Sequence, residues 1–224
     1  MNSFLELKNI SKNFDTEKKI KVLKKLSYSF KKGKVYSLMG PSGSGKSTLL
    51  NLISLIDRPT NGSIKFDDTL INFNENNKND IFRAKKIGIV YQQNNLLQDF
   101  TALENLYLAS LSINNNKKMA MLKADKLLKR IGLSNRANHF PSQLSGGECQ
   151  RVAIARAIIN DPDIILADEP TGSLDIKTAK NIFALLNNQK KPNRLIIFAT
   201  HNRFFAKKAD YLLELTNGSI KTTY

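Results

Sequence analysis

The chain has 224 residues, 41% of them hydrophobic, enough to bury a core as one large domain or one domain with an inserted lobe. Its single cysteine, Cys149, excludes an intramolecular disulfide framework, and no apolar run approaches the roughly 18 residues that a spanning helix needs. The formal net charge of +16 suits an anionic partner, whether nucleic acid, membrane surface or phosphorylated ligand, but the lysines are scattered and many sit beside asparagine, as on a solvated surface.

The start, MNSFLELKNISKNF, has neither a basic leader with an apolar run nor a small-residue cleavage site, so a soluble protein kept in the cytoplasm is expected. Up to residue 34 the pattern alternates as FLELKNI and LKKLSYSF, which predicts an antiparallel hairpin or small edge sheet. VYSLM (35–39) reads as a buried parallel strand and STLLNLISLI (47–56) as a helix. IGIVYQ (87–92) predicts a second such strand, MAMLKADKLLKRIG (119–132) and the stretch from Gly146 to Ile159 two more helices. IILAD (164–168), IKTAKNIFALLN (176–187) and LIIFAT (195–200) continue as strand, helix and strand. The polar stretches 72–80, 112–118 and 187–193 are predicted surface loops. This alternation argues α/β, with residues 1–224 as one domain and a helical subdomain at about 95–150.

Gly40 to Ser47 fits G-x-x-x-x-G-K-[ST] between a predicted strand and a predicted helix, the context a phosphate-binding loop requires. Backbone amides from Gly40, Pro41's neighbours Ser42, Gly43 and Ser44, and Gly45 would curl around phosphate oxygens, with the helix start at Lys46, Ser47 and Thr48 adding positive potential. Lys46 would reach the β and γ phosphates and the Ser47 hydroxyl a Mg²⁺ ion. In IILADEP the apolar run buries a strand, so that Asp168 emerges at its carboxyl end to hold Mg²⁺ through water and Glu169 to orient or deprotonate an attacking water. In LSGGECQR, Ser145, Gly146, Gly147 and Glu148 open a helix, which makes a second anion site.

LSGGECQR, some 20 residues before IILADEP, resembles the signature sequence of ATP-binding cassette proteins. The resemblance runs from Leu5 to about Ile220, and implies the cassette fold: a phosphate-loop nucleotidase core with a mainly parallel sheet, an N-terminal antiparallel β subdomain and an inserted helical subdomain. It also implies an ATPase that uses ATP and Mg²⁺. On the matching positions Gln92 touches the metal and the nucleophilic water, Ser173, Leu174 and Asp175 contact the opposite subunit, His201 touches the γ phosphate and holds Glu169, and Phe14 stacks on adenine where the family usually has tyrosine. Cys149 departs from the family, whose members commonly carry a polar or basic residue there.

DRPTNGSI (57–64), NLLQDFTALENL (95–106) and the terminal LELTNGSI resemble the branch that contains lipoprotein-releasing, macrolide-exporting and cell-division cassettes, with the lipoprotein-releasing subunits most similar. That likeness implies a homodimer sandwiching ATP between each copy's phosphate loop and the other's signature. It further implies separate transmembrane permease subunits contacted near Gln92 to Leu106, no direct contact with cargo or nucleic acid, and a place on the cytoplasmic face of the inner membrane. The macrolide or peptide exporters and the cell-division complex stay open as alternatives, as does a soluble nucleic-acid-associated ATPase.

Overall fold

A computed structural model describes residues 3–15, 19–113 and 115–223; residues 1–2 of the chain start, 16–18 of the predicted hairpin and 114 of the predicted loop 112–118 lie outside the described residues. Strand β1 (Leu5–Asp15) pairs antiparallel with β2 (Lys19–Phe30), Leu5 opposite Phe30, as the alternating pattern predicts. β3 (Val35–Met39) has the predicted bounds, and helix α1 (Lys46–Ile53) follows the glycine-rich loop. β4 (Asn61–Phe66) and β5 (Thr69–Leu70) complete a sheet of order β2-β1-β4-β5.

Helix α2 (Asn76–Lys86) occupies the second half of the 72–80 stretch read as a loop. Its polarity hid it, for it carries few apolar residues. What ties it down is Asn79, buried and donating from Nδ2 to the Asn72 carbonyl at 2.9 Å. Then come β6 (Ile87–Val90), α3 (Ala102–Leu111), α4 (Lys117–Arg130), α5 (Gly146–Ile158) and β7 (Ile164–Asp168). The chain ends with α6 (Ile176–Asn187), β8 (Leu195–Ala199), the single turn α7 (Arg203–Ala206) and the antiparallel pair β9 (Tyr211–Thr216) and β10 (Ser219–Thr223).

The chain divides into two compact units: Met1–Asp80 with Leu166–Glu169 and Lys190–Tyr224, and Ile81–Ile165 with Pro170–Gln189. In the first unit β3 lies parallel between β8 and β9, with Val35 opposite Ile196 and Tyr36 opposite Tyr211. Strand order there is β10-β9-β3-β8-β7. Every residue of β8 is buried, the continuous apolar run expected of a central parallel strand. Each such Leu, Ile or Phe contributes roughly 1.5–3 kcal/mol on burial.

The second unit is built around α5. Val152, Ala153, Ile154 and Ala155 are wholly buried, so this helix is apolar on every side along its middle and must be covered all round. β6 is one cover. A Cβ at Gly88 would meet the Ala157 carbonyl oxygen at 2.1 Å, so only glycine lets the strand approach this helix. α3, α4 and α6 pack around the same centre.

Candidate active site

In the first unit, loops leave the carboxyl ends of the parallel strands β3 and β8 and of β7 beside them, where ligands of open α/β sheets bind. The β3 loop turns into α1 through Gly40 (φ 151°), where a Cβ would strike the Leu215 carbonyl oxygen at 2.3 Å. Gly45 caps α1 in a left-handed conformation without any side-chain hydrogen bond, and no acid stands in the first turn. The helix therefore presents bare amides and the positive end of its dipole. Pro41, Ser42, Gly43 and Ser47 of the loop are exposed, and Ser44 and Thr48 half-buried.

Lys46 is 6% exposed, and its ammonium is tethered by the Gly40 and Pro41 carbonyls, at 2.8 and 3.0 Å from Nζ. Burial presses its pKa down, and the nearby charges of Glu169 and Asp168 oppose that shift. Glu169 itself sits just past β7 in a left-handed backbone conformation (φ 44°), its amide donating to the Ala199 carbonyl of β8 at 3.0 Å. Its carboxyl is pushed up by burial, against the charge and backbone amide of His201 and the charge of Lys46.

His201 follows β8 and Thr200. Its backbone N–H donates to Glu169 Oε2 at 3.3 Å, and its ring Nε2 lies 3.2 Å from Oε1. That ring contact lacks the alignment of a hydrogen bond, so Oε1 is buried with its hydrogen-bonding capacity unfilled. Ser44 Oγ is likewise buried without a partner. Orphaned polar atoms on the glycine-rich loop and on an acid of the same unit fit a ligand rich in oxygen and ordered water, a polyphosphate above all. Among the described residues no group of three or more His, Cys, Asp or Glu could hold a metal alone. A cation held by Ser47 and Asp168 would take its remaining oxygens from phosphate and water, the usual manner of Mg²⁺.

Phe14, on β1 in this unit, is 39% exposed with Lys12 Nζ 5.0 Å from its ring centroid. An accessible ring face beside a cation suits stacking on a flat, anion-bearing ligand.

The second unit brings the signature and the Ser173–Asp175 loop together around one cavity of about 380 Å³, lined among others by Ser145, Gly147, Arg151, Leu174, Asp175 and Thr178. Ser145 caps α5 in a capping box: Ser145 Oγ accepts from the Glu148 amide and Glu148 Oε2 accepts from the Ser145 amide at 2.8 Å. Those bonds, with the Ser145 amide foremost, hold the Glu148 carboxyl below its ordinary range. Arg136 Nε reaches Glu148 Oε1 at 3.1 Å. Asp175 caps α6 by accepting from the Lys177 and Thr178 amides, and these bonds, with Thr178 foremost, hold its carboxyl below the ordinary range. Arg151 Nε is buried without a hydrogen bond.

Gln92 is exposed on the loop that follows β6 in the second unit. That loop is held from α5, where Arg156 donates to the Asn95 and Asn94 carbonyls at 2.7 and 3.0 Å. Arg156 went unremarked in the sequence, as did Asn105, whose side chain is buried and bonds Leu97 N–H and the Leu97, Phe100 and Thr101 carbonyls. A polar residue inside the apolar TALENLYLASL was the available signal. Arg136 was missed too; the half-buried His139 places Nε2 3.2 Å from its Nη1.

A family model described as ABC transporter matches residues 23–172. The chain belongs to the ABC transporter family. The cassette is 43% identical over 221 residues, 98% of each chain, to the lipoprotein-releasing system ATP-binding protein LolD of Rickettsia bellii (strain RML369-C). It is 46% identical to the LolD of Wigglesworthia glossinidia brevipalpis over 96% of this chain and 95% of that one. Among solved structures, the dimeric post-hydrolysis state of the ATP-binding cassette MJ0796 bound to ADP and Pi is similar at TM-score 0.91 and 38% identity, covering 98% of this chain and 97% of that one. The fold is thus the cassette fold expected from the sequence, and the chain is an ATPase of that type.

Proposed function

We propose that the chain is the ATP-hydrolysing subunit of a transporter that releases lipoproteins from the bacterial inner membrane through separate transmembrane subunits. The observation that carries this reading is the buried carboxyl of Glu169, which accepts from the His201 backbone N–H at 3.3 Å and lies 3.2 Å from its ring, on the same unit as the phosphate loop and the tethered ammonium of Lys46. The near full-length identity to lipoprotein-releasing subunits supports the choice of cargo. We read residues 1–224 as one ATP-binding domain with a helical subdomain at about 95–150.

In this reading the bare amides at the start of α1 and the ammonium of Lys46 hold the β and γ phosphates of ATP, and Phe14 stacks on adenine. Ser47, Asp168 and Gln92 would hold Mg²⁺, which would supply charge neutralisation to the phosphates. Ionised Glu169 takes a proton from the attacking water as its oxygen bonds to the γ phosphorus, and ADP leaves with the broken bond's electron pair. His201 keeps that carboxylate aimed. Two copies assemble head to tail, each offering Ser145, Gly146, Gly147 and Glu148 to the nucleotide of the other, with Ser173, Leu174 and Asp175 along the contact. Closure and reopening move the permease, which meets the cassette near Gln92 to Leu106. The subunit works on the cytoplasmic face of the inner membrane and touches neither cargo nor nucleic acid.

The test is to express Glu169→Gln at native level, extract membranes gently with ATP, and identify the co-purifying integral membrane protein by mass spectrometry. A partner with a few spans and a large periplasmic domain, beside lipoprotein carriers, supports lipoprotein release. A drug-export or division partner, or none, overturns it.

A further inference from the structure

Helix α4, KKMAMLKADKLLKR, carries six basic side chains against the single acid Asp125. Its buried face is Ala120, Ala124, Leu127 and Leu128. At about 100° per residue Leu122 falls on the opposite side, flanked on the helix surface by Lys118, Lys126 and Lys129. Leu122 is 50% exposed, and Met119 and Met121 beside it are 59% and 38% exposed. The α4 lysines make no ion pair among the described residues, although Lys117 lies 6.0 Å from the Tyr107 ring centroid. Next to this face Leu103, Lys117, Lys118, Met121, Leu122 and Asp125 line an open, mainly apolar groove of about 630 Å³.

Three flexible apolar side chains in a ring of unpaired lysines make an unusual surface for water and a suitable one for the boundary of a bilayer. Methionine and leucine would enter the acyl edge, while the lysine stems lie along apolar surface and their ammonium groups reach anionic headgroups. A strongly acidic protein groove would complement the charge as well, but the lysines here splay around the helix instead of converging on one acceptor, which matches a headgroup plane. We propose that the exposed face of α4, centred on Leu122, Lys118 and Lys126, seats on an anionic phospholipid surface. The inference is independent of the cargo and of the lipoprotein reading.

The test is co-sedimentation of the full chain with vesicles of phosphatidylcholine alone and of phosphatidylcholine mixed equally with phosphatidylglycerol. Binding is expected only to the mixed vesicles, weakening with added salt. Each lysine near such a surface contributes about fivefold in affinity, so Lys118→Gln with Lys126→Gln lowers binding by more than tenfold. Leu122→Ser with Met119→Ser lowers it several-fold at unchanged charge. Lys21→Gln with Lys24→Gln, on exposed positions of β2, leaves binding within twofold, which separates α4 from the general basicity of the chain. All variants keep the native melting temperature and ATPase rate, since none touches the nucleotide site. Equal binding to both kinds of vesicle, no binding to either, retention on polyribonucleotide in place of vesicles, or α4 variants that bind like the native chain would each overturn the proposal.

Discussion

The two helix starts to which the proposed function assigns nucleotide contact are built from opposite choices. In the first unit α1 begins at a glycine with no side-chain cap and no acid in its first turn, so its amides wait for an outside anion. In the second unit α5 begins with Ser145 and Glu148 capping each other, and Arg136 braces the acid. Both are helix N-termini with the same dipole. The first is left unfinished and depends on ligand; the second is self-sufficient and offers only the remaining amides and hydroxyl. The proposed function asks the first to hold its own nucleotide strongly and the second to let go.

Substitutions sharpen or break that contrast. The largest effect expected is from Glu169→Gln, which removes the base: phosphate release slows by about 10³-fold while ATP still binds. Steady-state release measured beside equilibrium binding checks it, and near-native turnover would sink the role of Glu169. Lys46→Ala should cost about 10²-fold in kcat/KM and weaken nucleotide affinity as well, read by titration with a fluorescent ATP analogue. Unchanged affinity would refute the unfinished helix start.

Ser145→Ala attacks the self-sufficient end. Loss of the cap costs about 1 kcal/mol, or a melting temperature lower by about 2–4 °C. Turnover falls, yet nucleotide affinity at the phosphate loop stays within twofold; if affinity falls too, the two ends are not separable. The smallest expected change is in the pH profile. Turnover needs ionised Glu169, so the rate climbs with pH through a pKa already raised by burial. His201 opposes that rise; in His201→Ala the acid limb should move to still higher pH, beyond any general fall in rate. A limb that stays in place would mean that His201 does not set the charge of Glu169.

Much of this was legible because continuous apolar runs and glycine-lysine loops have few alternatives. VYSLM, IILAD and IKTAKNIFALLN coincide with β3, β7 and α6. The glycine-rich loop from Gly40, the acids Asp168 and Glu169, and His201 lie at or just past the ends of the predicted strands. What escaped were elements held by polar contacts at a distance. α2 is polar along its length and rests on Asn79, and the loop that Asn105 pins takes its shape from four bonds to backbone groups. Arg156 reaches some 60 residues back to hold the Gln92 loop, a pairing that no local pattern announces. β9 and β10 were noticed only as a familiar ending, because a short alternating pair carries a weak period.

Glu169 bears two burdens at once, a left-handed backbone that costs a non-glycine residue about 1 kcal/mol and a carboxyl group largely buried. A laboratory selection for heat resistance alone would therefore find relief at this position first, glycine or asparagine easing the backbone and any neutral side chain easing the charge. The survivors would be sturdier and inert, so evolution of a robust cassette has to be scored on work done as well as on survival of the fold.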